Sequence, residues 1–458
     1  MGPPVFGELR WRALSDYHTR GPFSFIPLIA NAESIFGLGL TLSFSLATSI
    51  IAFATPNRPK WHISLVHNRA SYWIALTVSV LSIPFACRRL IPFAAIPIAV
   101  FALLIPPLLR WCFDLSESFL FDAETFLVTV VGIYCRVWLI RTVSSTAQSD
   151  MLPLIKSAII ATMQGENPYH IYTMSHVSTL PPYELPLTYL PLQWLAYFPA
   201  VLLGLDLRYT NVFLEVTVFL LLVVTAIRRT HNTGDLPWGV LGAASLLFLN
   251  GYFILRIDAE VFVTTFIIAV TAGALVAGYI WEFWMLLGLA LATSPLVLIF
   301  IPFVASYSYI QYRSRVTIIG LLMSFAVAVA IVSPFVLKDP GAFWSGTAGH
   351  WQEVRRYSGT WANAWMRNLN WSVLFYEYGY QRYLVACQMV GVFVSFAVYI
   401  ALRGPANVTR TLAFCSMALF VFLQFDVISW TYLFHPVALL TCWVLLTVQD
   451  NRATLNRA

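Results

Sequence analysis

Apolar stretches of membrane-crossing length alternate with short polar punctuation along most of the chain. Runs that fit the ~20 residues needed to cross a bilayer lie near 30–54, 71–87, 90–109, 123–141, 187–205, 210–227, 236–255, 260–280, 283–308, 316–337, 384–402, 409–428 and 432–448. The pattern predicts an all-α polytopic protein with about a dozen spans. The only sizeable segments outside the membrane are roughly 142–186 and 338–383. In the first of these, Met151, Leu154, Ile155, Ala158 and Ile159 recur at helical spacing. A helix lying along the membrane interface is expected directly after Asp150.

Composition agrees with this pattern. Of 458 residues, 59% are hydrophobic and 10% charged, with a mean hydropathy of +0.74, all outside the globular range. Arg10, Arg12 and Arg20 precede a long apolar run with no short core and small-residue cleavage site, so the first apolar segment is expected to be retained rather than cleaved. The six cysteines lie in or beside apolar runs without CxxC spacing, which predicts neither a zinc site nor a disulfide framework. The net charge of +6 follows from arginines between spans, the positive-inside signature, and not from a nucleic-acid footprint.

Those arginines orient the chain. Arg228 and Arg229, Arg313 and Arg315, Arg403, and Arg452 and Arg457 mark cytoplasmic ends. Arg256 to Glu260, Lys338 to about Tyr383, and Ser429 to His435 then fall on the extracytoplasmic side. For these ends to alternate, 283–308 has to leave the cytoplasmic side and return, and Thr293-Ser294-Pro295 can break it into two half-helices. A proline kink in an ordinary span is the alternative. Residues 1–122 resist the same treatment, and the proline-rich run at 90–109 is the candidate for a re-entrant or interfacial piece. The expected division is therefore 1–122 as membrane segments of open topology, 123–450 as the functional membrane domain, and 451–458 as a cytoplasmic tail.

The unusual polar residues collect on one face. Asp150, placed after a span holding Arg136 and Arg141, can take a proton from a hydroxyl if it stays ionised, or can cap the interfacial helix. Gly165-Glu166-Asn167-Pro168-Tyr169 and Tyr189-Leu190-Pro191-Leu192 supply turns and flat amphipathic rings suited to sugars or to a lipid interface. Asp258 and Glu260 form a second acidic position. Lys338-Asp339-Pro340-Gly341 leads into His350, Arg355 and Arg356 among tryptophans, a set suited either to a lipid-linked anion or to anionic headgroups.

An Asp closing an early span, an amphipathic helix, a G-x-x-P-Y turn and a Y-x-P-L segment opening the next helix together resemble the GT-C integral-membrane glycosyltransferases. The resemblance is especially to the branch of bacterial polyprenol-phosphate-mannose-dependent mannosyltransferases. The resemblance covers roughly 123 to 440. It implies a GT-C fold and makes Asp150 the catalytic base toward the acceptor. Asp258, Glu260 and Tyr169 become the acceptor or second acidic site. The same resemblance implies that His350 and Arg355 or Arg356 contact the donor phosphate; Arg256 is a further candidate by position only. Where relatives carry a Lys before the proline of a broken helix, this chain has Ser294-Pro295.

The function expected is transfer of one sugar, mannose by resemblance, from a polyprenyl-phosphate donor to a hydroxyl on a glycan or glycolipid. It would take place with inversion, at the extracytoplasmic face of a bacterial or archaeal cell membrane. The oxygen-ligand set is thin, so no cofactor is expected, with a divalent cation as the alternative. Two other readings stay open: a glycan polymerase or ligase using a lipid-diphosphate donor, and a transporter or flippase of lipid-linked sugars, for which Arg136, Glu215 and Asp426 supply mid-span charges.

Overall fold

The computed structural model describes residues 69–87, 116–143, 149–174, 183–230, 236–350, 378–426 and 431–447, with residues 352, 371, 372 and 375. The calls on 90–109, on Arg355 and Arg356 and on the two ends of the chain lie outside these residues. Among the described residues, four helices are long and apolar enough to cross a membrane: Glu117–Thr142, Arg208–Arg229, Pro295–Lys338 and Gln381–Ala401. Six shorter apolar helices accompany them. The protein is a helical membrane protein.

In chain order the first elements are α1 (Arg69–Cys87), α2 (Glu117–Thr142) and α3 (Met151–Met163). Two strands follow, β1 (Ile171–Met174) and β2 (Tyr183–Pro186), and then two five-residue pieces, α4 (Pro191–Leu195) and α5 (Phe198–Leu202). Next come α6 (Arg208–Thr230), α7 (Trp238–Phe248), α8 (Gly251–Leu255), α9 (Val261–Ala277) and α10 (Ile280–Leu291). A 3-10 turn (Pro295–Phe300) leads to α11 (Ile301–Lys338) and α12 (Pro340–Trp344), and α13 (Leu384–Ala401), α14 (Val408–Gln424) and α15 (His435–Thr447) complete the set.

Three features depart from the hydropathy pattern. The run at 187–205 is not one helix: Pro191 and Pro199 each open a short piece, because proline cannot donate to a preceding turn. An antiparallel strand pair, with Ile171 opposite Pro186 and Met174 opposite Tyr183, interrupts the otherwise helical chain. Its Ile, Tyr and Thr favour extended backbone. Finally, α11 is two helices meeting at Arg313, whose φ is 72°. Thr317 Oγ1 donates to Ser308 Oγ at 3.0 Å, whereas nine residues along a straight helix would span ~13 Å. The chain therefore doubles back. The expected break at Thr293-Ser294-Pro295 is also present, with Ser294 Oγ accepting from Leu296 N at 3.3 Å. A short α10 thus enters the bundle, 295–312 returns, and 314–338 crosses again.

Contacts sort the helix ends into two groups. At one end Arg229 donates to Val276 O and Leu446 O at 3.1 and 3.4 Å, and Gln311 donates to Ala406 O at 3.2 Å. At the opposite end Leu192 N donates to Ala292 O at 3.2 Å, Gln193 reaches Glu260 O, and Lys338 reaches the turn after α3. Between the two ends lies one large apolar core, to which α1 contributes Tyr72, Leu76, Val80 and Ile83. The Tyr72 ring packs on Trp238, and Ser82 Oγ accepts from Gly251 N at 2.8 Å. Residues 69–87 are therefore part of the same packed body as the helices after 123. A second apolar cluster, built from α3, Tyr169, Leu187, Trp194 and Tyr197, sits beneath the first loop.

Candidate active site

Described anchors lie on either side of Asp150. Upstream, buried Arg208 at the start of α6 donates to Ile140 O at 3.0 Å and Val143 O at 2.7 Å, satisfying carbonyls at the end of α2 that have no helical partner. Asp206 holds the guanidinium in place at 2.7 Å. Downstream, α3 begins at Met151, and Ser149 Oγ accepts from Met151 N at 3.1 Å. Asp150 occupies the N-cap position, yet its side chain makes no capping bond. The Asp150 side chain therefore does not cap α3.

Asp258 and Glu260 lie in the turn joining α8 to α9. Asn211, one turn into α6, donates to Ile257 O at 2.7 Å and to Ala259 O at 2.8 Å. The Tyr197 hydroxyl donates to Asn211 Oδ1 at 2.6 Å. Both acids are buried, Asp258 at 1% and Glu260 at 8% exposure. Neither carboxyl oxygen of Asp258 has a hydrogen-bond partner in another described residue, and Glu260 Oε2 has none either. A buried polar group without partners costs about 1–3 kcal/mol, so this turn is an expensive arrangement by packing standards.

The same turn lies within electrostatic reach of Asp150. Burial pushes the Asp258 carboxyl above its ordinary range, Arg256 opposes that shift, and Asp150 adds to it. Burial likewise raises Glu260 from its ordinary 4.5 to about 7, with Asp258 and Asp150 contributing. Tyr189 and Tyr432 face the group. Burial first, and Glu260 next, hold both phenols well above their ordinary 10, so they remain hydrogen-bond donors. Three carboxyl groups, one guanidinium and two phenols from four separate parts of the chain thus lie within electrostatic reach of one another. Among the described residues no three of His, Cys, Asp and Glu form a group that could hold a metal ion.

The remaining expected site residues divide differently. Tyr169 is 2% exposed; its hydroxyl donates to Tyr189 O at 2.8 Å and accepts from Trp194 Nε1 at 3.3 Å, while its ring packs on Phe343. It is a buried strut beneath the first loop. Lys338 Nζ donates to Gly165 O at 2.7 Å and Glu166 O at 3.0 Å. Gly165 adopts a φ of 81°, which suits glycine at this turn. A Cβ on Gly346 would come within 2.5 Å of Leu187 O, so the chain just before His350 presses directly on the first loop. His350 follows one turn later and is half-buried. Arg256 lies among the carboxylates as their counter-charge.

Two positioning groups escaped the sequence reading, Arg208 and Asn211. Their signal was a polar residue at every helical turn of an otherwise apolar segment: Arg208, Asn211 and Glu215 share one face of α6. Glu215 lies ~10 Å deeper than Arg208. It pairs with Arg136 Nε and lies 3.6 Å from His435 Nε2. Arg136 also donates to Gly132 O at 3.1 Å and to Phe248 O at 2.7 Å. A cavity of about 10 Å³, room for a single water, touches Glu215, Phe248 and His435.

No protein-family model matches the chain, and neither a curated protein nor a solved structure shows significant similarity to it.

Proposed function

We propose that the protein is a membrane glycosyltransferase of the GT-C type. It moves a single sugar, mannose by resemblance, from a polyprenyl-phosphate donor to a hydroxyl of a glycan or glycolipid at the extracytoplasmic face. The observation that carries this reading is the convergence of Asp150 with Asp258 and Glu260 at the end of the bundle opposite Arg229. Asp150 is the base: it accepts the acceptor's proton as the hydroxyl oxygen attacks the anomeric carbon. The bond from that carbon to the phosphate oxygen breaks, the phosphate leaves with the electron pair, and the configuration inverts.

Asp258 and Glu260 supply the acceptor side. Their unpartnered oxygens suit the hydroxyls of a sugar, and below pH 7 a protonated Glu260 is also a donor. Tyr189, half-buried beside them, offers a phenol to the same ligand. His350, held against the first loop by the Gly346 contact, is the donor-side group that neutralises the leaving phosphate, with Arg355 and Arg356 beside it in sequence. Lys338 is committed to the turn carbonyls, so it does not replace the lysine that relatives carry near Ser294.

The test uses membranes holding the protein and radiolabelled polyprenyl-phosphate-mannose. Asp150→Asn is expected to lower transfer about 10²- to 10⁴-fold, the usual contribution of a general base, with unchanged protein level. Full activity in that variant removes the reading.

Two other readings remain to be separated. Transport of lipid-linked sugars is favoured by the Arg136–Glu215–His435 group, since ionisable residues inside a bundle often mark a pathway. Purified protein that moves labelled polyprenyl-phosphate sugar across liposomes without transferring it would select transport. A lipid-diphosphate ligase would keep activity in Asp150→Asn and lose it in His350→Ala.

A further inference from the structure

One face of α6 touches three of the parts of the chain around the carboxylate cluster. Arg208 grips the end of α2, which leads to Asp150. Asn211 grips the turn of Asp258 and Glu260. Glu215 reaches Arg136 on α2 and lies near His435 at the start of α15, which follows directly on Tyr432. The spacing 208, 211, 215 sets all three side chains on the same side of the helix.

Asn211 is the most exacting of the three. Its amide spans the two carbonyls on either side of Asp258, those of Ile257 and Ala259, with one nitrogen. Its own carbonyl oxygen is held by Tyr197 at 2.6 Å, which fixes the amide's orientation. Two short bonds to alternate carbonyls leave the backbone at Asp258 little freedom. No other described residue bonds the Asp258 carboxylate, so its direction depends on the backbone that this clamp holds. Asn211 is itself fully buried at 0% exposure, and no water is needed to complete its bonding.

We propose that Asn211 is a positioning residue for the acidic site: by clamping the carbonyls of Ile257 and Ala259 it keeps the buried Asp258 and Glu260 facing Asp150. The proposal rests on the reading of that site as the acceptor side of a transferase, but its structural half does not need the reaction. A clamp of this kind also sets how dry the acids are. Glu260 faces Asp150, Asp258, Arg256, Tyr189, Tyr197 and Tyr432. Releasing the turn lets water reach this group, and Glu260 then titrates at a lower pH.

The experiment uses the full chain in lipid nanodiscs and compares wild type with Asn211→Leu, which keeps the volume and removes the donor. Three quantities are read: amide exchange over 256–260, the pH at which the Glu260 carboxyl band disappears in the infrared (assigned with Glu260→Gln), and sugar transfer. Exchange is expected to rise about tenfold, the factor for losing roughly one net hydrogen bond of local stability. The Glu260 titration should move downward. kcat should fall with the donor KM unchanged, because the donor side is untouched.

Tyr197→Phe, which removes only the hydroxyl that orients Asn211, should move the first two readings the same way by a smaller amount, and it serves where Asn211→Leu does not fold. Unaltered exchange and unaltered Glu260 titration in the folded variants overturn the proposal. If both readings move while the wild type transfers no sugar, the clamp stands and the transferase reading falls.

Discussion

Glu215 and Asp258 are both buried acids, and their surroundings could hardly differ more. Glu215 is paired with Arg136 Nε, and Arg136 spends its remaining donors on two backbone carbonyls and lays its guanidinium over the Phe248 ring at 4.4 Å. Asp258 has a rigid backbone, a nearby arginine, and no hydrogen bond to either oxygen from another described residue. The first arrangement closes an ion pair that joins α2 to α6, although Glu215 Oε1 and both His435 ring nitrogens have no hydrogen-bond partner among the described residues. The second depends on a turn held by Asn211, and its acceptors meet no hydrogen-bond donor of another described residue. What separates the two acids is the counter-ion: Glu215 bonds Arg136, whereas neither Asp258 oxygen bonds another described residue.

The largest effect should come from breaking the closed arrangement. Glu215→Ala leaves Arg136 charged and buried without its counter-ion, a change that typically costs about 3–5 kcal/mol. A large fall in the thermal midpoint or in folded yield checks it. Replacing both partners, Arg136→Met with Glu215→Leu, should recover most of the loss, because no unpaired charge remains. If the single variant is as stable as wild type, the pair is not the joint described here.

The open arrangement should respond in the opposite sense. In the unfolded chain Glu260 ionises near its ordinary 4.5, and in the folded protein near 7. Below pH 4.5 both states hold the proton and folding stability is undiminished by this group. As pH rises from 4.5 to 7 the unfolded state ionises first, so stability falls, by on the order of 3 kcal/mol once pH exceeds 7. Glu260→Gln removes that slope and should be more stable than wild type at pH 8 while equal to it at pH 4. Midpoints measured across this range decide the matter, and parallel curves for the two proteins would show that Glu260 is not held in a raised state.

The smallest effect tests the contact between the two outer segments. Lys338→Ala removes the bonds to Gly165 O and Glu166 O, which are solvent-exposed. A loss of about 1 kcal/mol or less is expected, with faster amide exchange confined to residues 164–170. A change that spreads into α6 would mean that the first loop, and not α6, organises the site.

Much of the site could be read from the linear sequence because its chemistry is local to single residues. Asp150, Asp258 and Glu260 stand out as carboxylates at the ends of apolar runs, and the arginines that orient the chain are equally visible. The break at Ser294-Pro295 was also legible, since proline leaves the backbone few choices. What stayed hidden depends on pairing across the chain. Arg208 and Asn211 act on carbonyls of residues 46 to 68 positions away, and a carbonyl carries no residue type to read. The run at 187–205 misled because hydropathy weighs side chains and ignores that Pro191 and Pro199 interrupt the helix. Tyr169 looked like a ligand-facing aromatic from its turn context, but its partners, Trp194 and Tyr189, are set by folding.

The reversal at Arg313 decides which end of the bundle receives Lys338. By length and composition, Pro295–Lys338 is a single candidate span; because it folds back at a residue with left-handed backbone, it is two helices. Its first residues and its last therefore lie at the same end, where Leu192 meets Ala292 and Lys338 meets the turn after α3. One non-glycine backbone conformation thus lets the second outer segment, which starts at Lys338, meet the first.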